Sequence, residues 1–599
     1  MKDKKSKIRL FQAVARLLPF MLAGAPGLFI SCNIIALVHG VSHGLMTFVS
    51  QRFFDSVANA VSQNTAISAV IWMGTALGVT VIGTQVLNGV HNFLSNALFK
   101  KEVGYLTMRI NRKAQSLDPV CYENTSMLDD ISKAQEGAQY SAYLVFMTAT
   151  IFTFYIPYFL FMALYLFSLK PILALSIVFV FVPVMATQLV RSASFAKLAD
   201  QSAPVRREFE YYEKCICDRE YFKETRILGG FSYFRNLYRS ALSLLGKKIW
   251  SAESKTGLLE LGTKLLTLAG YFGVLYMLFD ALLAGEITIG AFSAVFTSIG
   301  LLFSIMDEMI CNHIGELTKN IGSVRNFINY IDLPERRGED RAVDAGDGVV
   351  LEHASFRYPG AGQNALDGVT LRISKGETVA IVGENGAGKT TLVRLITGIY
   401  TPTEGTARIG GADTSEISAQ SIMGGISAVF QKYQRYKMTL GENIAISSEQ
   451  EQSGMLEEAC GKANLDTGEQ AFPQKFDTML SREFDGVDLS GGQWQRVAIA
   501  RGFYRAHGMI VLDEPTAAID PLEETRIYQQ FSELSRGKTA VVVTHRLGSA
   551  KIADRIIVMD KGRIDSEGTH DELMRCGGLY AEMFRAQAKW YEREEEEAG

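Results

Sequence analysis

Cysteine is scarce in this chain and does not pair by pattern. The seven cysteines, Cys32, Cys121, Cys215, Cys217, Cys311, Cys460 and Cys576, are odd in number and include no C-x2-C spacing. That excludes a disulfide framework and fits reduced thiols facing a cytoplasm. Cys215 and Cys217 alone do not supply a tetrahedral metal site. A charge excess of either sign is also missing, since 60 Lys and Arg stand against 64 Asp and Glu for a net −4. There is then no electrostatic case for nucleic acid, and none is expected as a partner. The basic start, Met1 to Lys7, is not followed by a short apolar core and a small-residue cleavage site. It reads as a cytoplasmic lead-in, not as a removed signal.

The first half lacks charge over long stretches, and this is its main content. A bilayer core takes about 20 mostly apolar residues per helix. Six runs of that kind lie near 24–49, 66–98, 139–168, 171–192, 256–282 and 286–311. Several exceed that length, so these helices are expected to tilt or to project from the membrane. The segments between the second and third runs and between the fourth and fifth are long and rich in Lys and Arg, while the connections 55–65, 168–171 and 280–288 are short and poor in them. The positive-inside rule then places both termini in the cytoplasm of a multi-pass protein. Within the long basic segments, Asn124 to Gln135 and Phe209 to Leu228 carry helical spacing. They read as extensions of the membrane helices with a short helix at each tip. Polar groups inside apolar runs are candidates for function because lipid burial is costly. They are His39 and His43, one turn apart, and Asp307 and Glu308 near the end of the sixth run. An interfacial position for the acidic pair and packing against a polar neighbour for the histidines are equally simple readings. Pro157 and Pro183 are expected to bend the third and fourth runs.

Leu333 to Asp340 has no apolar periodicity and separates this half from a polar one in which strand-like and helix-like segments alternate. There, Thr378 to Val382 reads as a buried strand, and it runs into Gly383-Glu384-Asn385-Gly386-Ala387-Gly388-Lys389-Thr390, then a helix from Thr391. Strand, G-x-x-x-x-G-K-T and helix together make a phosphate-binding loop. Gly383, Asn385, Gly386 and Gly388 let backbone N–H groups surround phosphates, and the helix N-terminus with Thr391 adds its positive end. Lys389 reaches the terminal phosphates and the Thr390 hydroxyl holds Mg²⁺. Downstream, Met509 to Leu512 is an apolar strand ending in Asp513 and Glu514. Asp513 is expected to ligand Mg²⁺, and Glu514 to polarise an attacking water. In Leu489-Ser490-Gly491-Gly492-Gln493-Trp494-Gln495-Arg496, a hydroxyl and free N–H groups open a helix, again suited to phosphate.

That last segment resembles the signature of ATP-binding cassette (ABC) proteins, and the whole chain resembles an exporter-type half-transporter, loosely like bacterial peptide and antibiotic exporters. The resemblance implies further roles. Tyr358 would stack on adenine, Gln431 would sense Mg²⁺ and the attacking water, and His545 would touch the γ-phosphate. Asp520 would lie across a dimer interface, and Glu483 would signal to a partner's membrane domain. Ser490, Gly491, Gly492 and Gln493 would meet the ATP held by a second chain. It implies ATP and Mg²⁺ as cofactors and a homodimer or a heterodimer in a bacterial inner or plasma membrane. Two departures stand out: Ala517 lacks a hydroxyl usual in the family, and Trp494 sits where a smaller or polar residue is common. The expected architecture is an all-α membrane domain of six transmembrane helices over 1–332, with coupling helices near 118–135 and 209–228. A linker over 333–347, an α/β phosphate-loop ATPase domain with its helical signature subdomain over 348–588, and an acidic tail over 589–599 complete it. The implied function is ATP-driven export of an amphipathic or peptide-like substrate. An importer on the same fold and a non-transport ABC ATPase are the alternatives.

Overall fold

The computed structural model describes residues 10–598 apart from 64–66, 219, 337, 448–452, 506, 515–530, 532–534 and 536. The chain divides into two compact units, Met1–Ala114 with Asp129–Leu333, and Gln115–Leu128 with Pro334–Gly599.

The first unit is helical. Its main helices are α1 (Leu10–Gly24), α2 (Pro26–Gln63), α3 (Ile67–Ser116), α4 (Thr125–Thr150), α5 (Ile156–Leu169), α6 (Pro171–Cys217), α7 (Phe231–Leu283), α8 (Ile289–Asp307) and α9 (Gly315–Ile331). Among the described residues, five helical stretches are long and apolar enough to cross a membrane: Pro26–Ser62, Ile67–Ser116, Ile131–Leu169, Phe231–Leu283 and Ile289–Leu317. The remaining apolar run, 171–192, falls on α6, and the side chains of 176–180 within it lie outside the described residues. Large apolar side chains such as Ile30, Trp72, Val79, Phe272 and Tyr276 stand exposed on α2, α3 and α7. A surface this apolar along membrane-length helices suits hydrocarbon, where helices satisfy their own backbone groups.

The third run is irregular beside its proline. Pro157 lies in the first turn of α5, and the preceding residues Ile151–Tyr155 form a π-helix. A missing N–H at 157 removes one hydrogen bond and leaves room for the wider turn. Gly40 of α2 faces the backbone of Phe154 in that turn, where a Cβ would collide with the carbonyl. Around it pack Ala36, Tyr158, Val184, Leu302 and Met306. Of the two histidines, His39 meets a polar neighbour: His91 Nδ1 lies 3.4 Å from His39 Nδ1, and Phe154 packs against all three rings. A second π-helix, Glu308–Ile314, follows α8 at the acidic pair.

The tips of the long basic segments are shorter than the helical spacing indicates. They are Pro119–Glu123, a single 3₁₀ turn, and Phe222–Ile227. The residues from Thr125 onward belong to α4, because apolar spacing continues unbroken into the membrane run.

The second unit is α/β. An antiparallel sheet of order β2-β1-β4-β5 contains β1 (Val349–Phe356), β2 (Leu366–Ile373), β4 (Glu404–Ile409) and β5 (Ala412–Asp413). The larger sheet, of order β10-β9-β3-β8-β7-β6, holds β3 (Thr378–Gly383), β6 (Ile426–Val429), β7 (Met509–Asp513), β8 (Thr539–Val543), β9 (Arg555–Asp560) and β10 (Arg563–Gly568). β3, β6, β7, β8 and β9 run parallel, and β10 closes the edge antiparallel. Strands β7 and β8 are buried at every residue, as their unbroken apolar sequences require of a sheet covered on both faces. Helix α10 (Lys389–Ile396) follows β3, and α11 (Gly491–Tyr504) packs its Trp494 into a second core, with Leu456 and Phe472 and with Ile510 and Leu512 of β7. Trp494, unusual in the signature, is thus a buried core residue.

Candidate active site

Four adjacent parallel strands deliver the site. The order β3-β8-β7-β6 sets side by side the phosphate loop after β3, His545 just past β8, Glu514 after β7 and Gln431 just past β6. In open α/β sheets ligands bind at these carboxyl ends.

The phosphate loop keeps its shape through its glycines. Gly386 and Gly388 have φ of +83° and +99°, and a Cβ at Gly388 would stand 2.9 Å from the Ala365 carbonyl oxygen. Side chains rarely adopt such angles, and this position has no room for one. Lys389 is buried and donates to the carbonyls of Gly383 and Glu384, at 2.8 and 2.9 Å. Burial lowers its pKa, opposed by Glu514 and Asp513. An ammonium in this position lies beside the loop whose N–H groups would hold phosphate.

Asp513 ends β7 and is almost fully buried. Burial first, and the Glu514 charge second, push its carboxyl up to about 6 from an ordinary 3.8. Glu514 takes a left-handed φ of +48°, rare for a residue with a side chain. Strain of this kind persists where surroundings impose it, and it gathers at reactive sites. Gln431 Nε2 donates to the Glu514 carboxylate at 2.6 Å, and His545 Nε2 contacts its other oxygen. Burial, with Lys389 nearby, lowers the His545 pKa. The structure therefore gathers Lys389, Gln431, Asp513, Glu514 and His545 in one place.

Other sequence candidates lie apart from this centre. Tyr358 packs edge-on against Phe356 and Tyr400, and its hydroxyl is 3.0 Å from Thr391 Oγ1. Thr391 is buried, with its hydroxyl against that of Tyr358. Ser490 and Gln493 form a capping box at the start of α11: Ser490 Oγ accepts from the Gln493 N–H, and Gln493 Oε1 accepts from the Ser490 N–H. The Gln493 amide also donates to Glu469, so this side chain builds the helix start. Glu483 pairs with Lys437 at 2.5 Å. Asp520 and Ala517 lie outside the described residues.

Two contacts went unread in the sequence. Gln587, on the helix α12 (Leu579–Ala598), accepts from the Leu547 N–H at 3.0 Å and donates to the His545 carbonyl at 2.5 Å. It brackets the His545 loop beside a cavity of about 510 Å³ that also touches Gly383 and Asn385. No motif marks it; only the amphipathic spacing of α12 hints at packing. Replacing Gln587 with Ala removes both bonds, and ATPase turnover is expected to fall about fivefold, with nucleotide affinity little changed. A steady-state kcat and KM pair checks this. The second contact joins Arg394 of α10 to Glu123, at 2.8 Å, while the Tyr400 hydroxyl donates to the same carboxylate at 2.5 Å. Arg394 also donates to the Tyr358 hydroxyl at 3.1 Å.

Comparison with known proteins bears on the same residues. The ABC transporter family model matches residues 366–517. The subtilin transport ATP-binding protein SpaT of Bacillus subtilis is 28% identical over 582 residues, covering 93% of this chain and 91% of SpaT. The ATP-dependent lipid A-core flippase of Burkholderia orbicola (strain AU 1054) is 34% identical over 304 residues, about half of each chain (50% and 51%). A solved bacterial Atm1-family ABC exporter with ATP bound superposes with a TM-score of 0.71 at 20% identity, covering 97% of this chain and 99% of that one, and shares the fold. Residues 366–517 thus lie in the nucleotide-binding domain of an ATP-hydrolysing ABC transporter, joined to an N-terminal membrane domain, and the chain is a relative of the bacterial ABC exporters.

Proposed function

We propose that two copies of this chain form an exporter that moves an amphipathic or peptide-like substrate out of a bacterial cytoplasm, driven by ATP. The observation that carries this reading is the tip Pro119–Glu123. It belongs to the ATP-binding unit, with Glu123 held by Arg394 and Tyr400 on and beside the phosphate-loop helix. The same chain leads from that tip directly into α3 and α4. A change at Tyr358 or α10 on nucleotide binding would therefore reach the ends of membrane helices through one polar chain. Phe222–Ile227 is the second coupling candidate. Basic loops on the tip side support cytoplasmic termini. The relatives named for subtilin transport and for flipping the lipid A core support the cargo class.

At the ATP site, Lys389 and the loop N–H groups bind phosphates, and Tyr358 offers a ring to adenine. Glu514 orients the attacking water, with Gln431 and His545 fixing its carboxylate. The oxygen donors of Thr390, Asp513 and Gln431 fit Mg²⁺, a hard cation. A buried carboxylate whose pKa is raised by burial, as that of Asp513 is, has more to gain from a cation than a solvated one. Bound there, Mg²⁺ would offset phosphate charge. Ser490, already oriented by its capping box, with Gly491 and Gly492, would complete the site on the opposite chain, and the family resemblance gives Asp520 a role at that interface.

Inverted membrane vesicles test the direction. Added ATP should drive substrate into the lumen. Uptake that requires right-side-out vesicles and internal ATP would mean import.

A further inference from the structure

Two adjoining cavities of about 280 and 410 Å³ open between α6, α7 and the end of α8. They share Gln188, Glu260, Lys264, Asp307 and Cys311. Their joint size reaches that of ordinary ligand pockets, roughly 300–1,000 Å³. One is walled by apolar groups, Val184, Phe303 and Met306; the other adds Arg191, Glu253 and Glu316. The charges do not balance. Glu260 takes both cations, Arg191 at 2.5 Å and Lys264 at 3.4 Å. Asp307 receives a hydrogen bond from the Cys311 thiol at 3.1 Å, and among the described residues no ion pair reaches it.

Hydroxyl groups add to the same bias. Thr187, Thr263 and Thr267 line the apolar cavity. Each donates its proton to a carbonyl of its own helix, Thr187 to Pro183, Thr263 to Glu260 and Thr267 to Thr263. Their oxygens are left as acceptors. Beyond Asp307 the chain widens into the π-helix Glu308–Ile314, an irregularity often found at functional sites. An Asp and a Cys four residues apart thus face one cavity that offers surplus carboxylate, hydroxyl acceptors and an apolar wall.

We infer that this cavity is a cargo-binding site for an amphipathic organic cation, a lysine-bearing peptide segment whose ammonium meets Asp307 and whose apolar part lies along Val184, Phe303 and Met306. The site rests on the export reading for its purpose, but not for its binding chemistry. Near the cytoplasmic end of the membrane runs, it would take cargo from the side where ATP is hydrolysed. Asp307 sets the charge preference, and the Arg191–Glu260–Lys264 cluster holds α6 against α7.

Cys311 supplies a readout that needs no turnover. In full-length protein in lipid discs, with the other six cysteines replaced by Ser, maleimide labelling of Cys311 is followed against a lysine-containing amphipathic peptide and the same peptide with its amines acetylated. The amine form should protect Cys311 at a concentration at least about tenfold lower than the acetylated form. Asp307→Asn should erase that difference, and Asp307→Glu should keep it. Equal protection by both peptides, no protection by either, or an undiminished difference in Asp307→Asn would overturn the site. Protection without ATP-driven flux in vesicles would leave this site standing and sink the export reading instead.

Discussion

Glu514→Gln should lower ATP hydrolysis by at least about 100-fold while leaving ATP binding intact. The carboxylate is the group the geometry aims: Gln431 fixes one oxygen, His545 the other, and a left-handed backbone holds the residue at the end of β7. An amide has nearly the same shape and keeps a hydrogen bond with Gln431 through its oxygen. It cannot accept a proton from water at neutral pH. Nucleotide should accumulate in the protein, so a filter assay with labelled ATP should show retention that wild type lacks. Near-normal turnover would show that another group positions the water.

Asp513→Asn is expected to separate stability from activity. Burial and Glu514 raise the Asp513 carboxyl from 3.8 to about 6. The folded state then binds this proton more tightly than the unfolded state. The sign follows: stability is lost as pH rises from about 4 to about 6, and the full penalty is present at pH 7. A shift near two units corresponds to at most about 3 kcal/mol. Removing the charge should raise the thermal midpoint of the nucleotide-free protein at pH 7 by several degrees, and the gain should shrink as pH approaches 4. ATPase activity should fall to background at every pH, because the amide is a poor Mg²⁺ ligand. An active site that is strained in the absence of its cofactor commonly shows this opposition. A variant less stable than wild type at pH 7 would mean that Asp513 is satisfied without a cation.

Most of the ATP site was legible because its chemistry is local in sequence. A phosphate loop needs its glycines, Lys389 and Thr390 in one stretch, and a strand of four apolar residues before Asp513 announces a carboxylate at a sheet end. The parallel sheet then brings the loop, Glu514, Gln431 and His545 together, through the strand order β3-β8-β7-β6. Strand order is non-local, so the sequence supplied the parts and the family resemblance supplied their assembly. Gln587 was invisible for that reason: it lies 42 residues from His545, and one glutamine on an amphipathic helix carries no pattern. Glu123 was hidden in the same way, 271 residues from Arg394. In the membrane unit, apolar runs marked the helices, and Pro157 stands beside the irregular turn at 151–155. The π-turn at 308–314 had no sequence mark of its own, since i→i+5 bonding leaves composition unchanged. Asp307 and Glu308 were conspicuous by charge alone. Only the packing of α6, α7 and α8 shows that they part company, with Asp307 lining the cavity and Glu308 beside His313.

Flux and hydrolysis measured together in one preparation test the central claim most directly. Purified protein would be reconstituted into liposomes with its ATP sites outside, with a fluorescent lysine-bearing amphipathic peptide in the medium. Wild type should concentrate the peptide inside in proportion to ATP consumed, and Glu514→Gln should lose both together. Accumulation that survives in Glu514→Gln, or hydrolysis in wild type that moves no cargo from any peptide, drug or lipid panel, would contradict it.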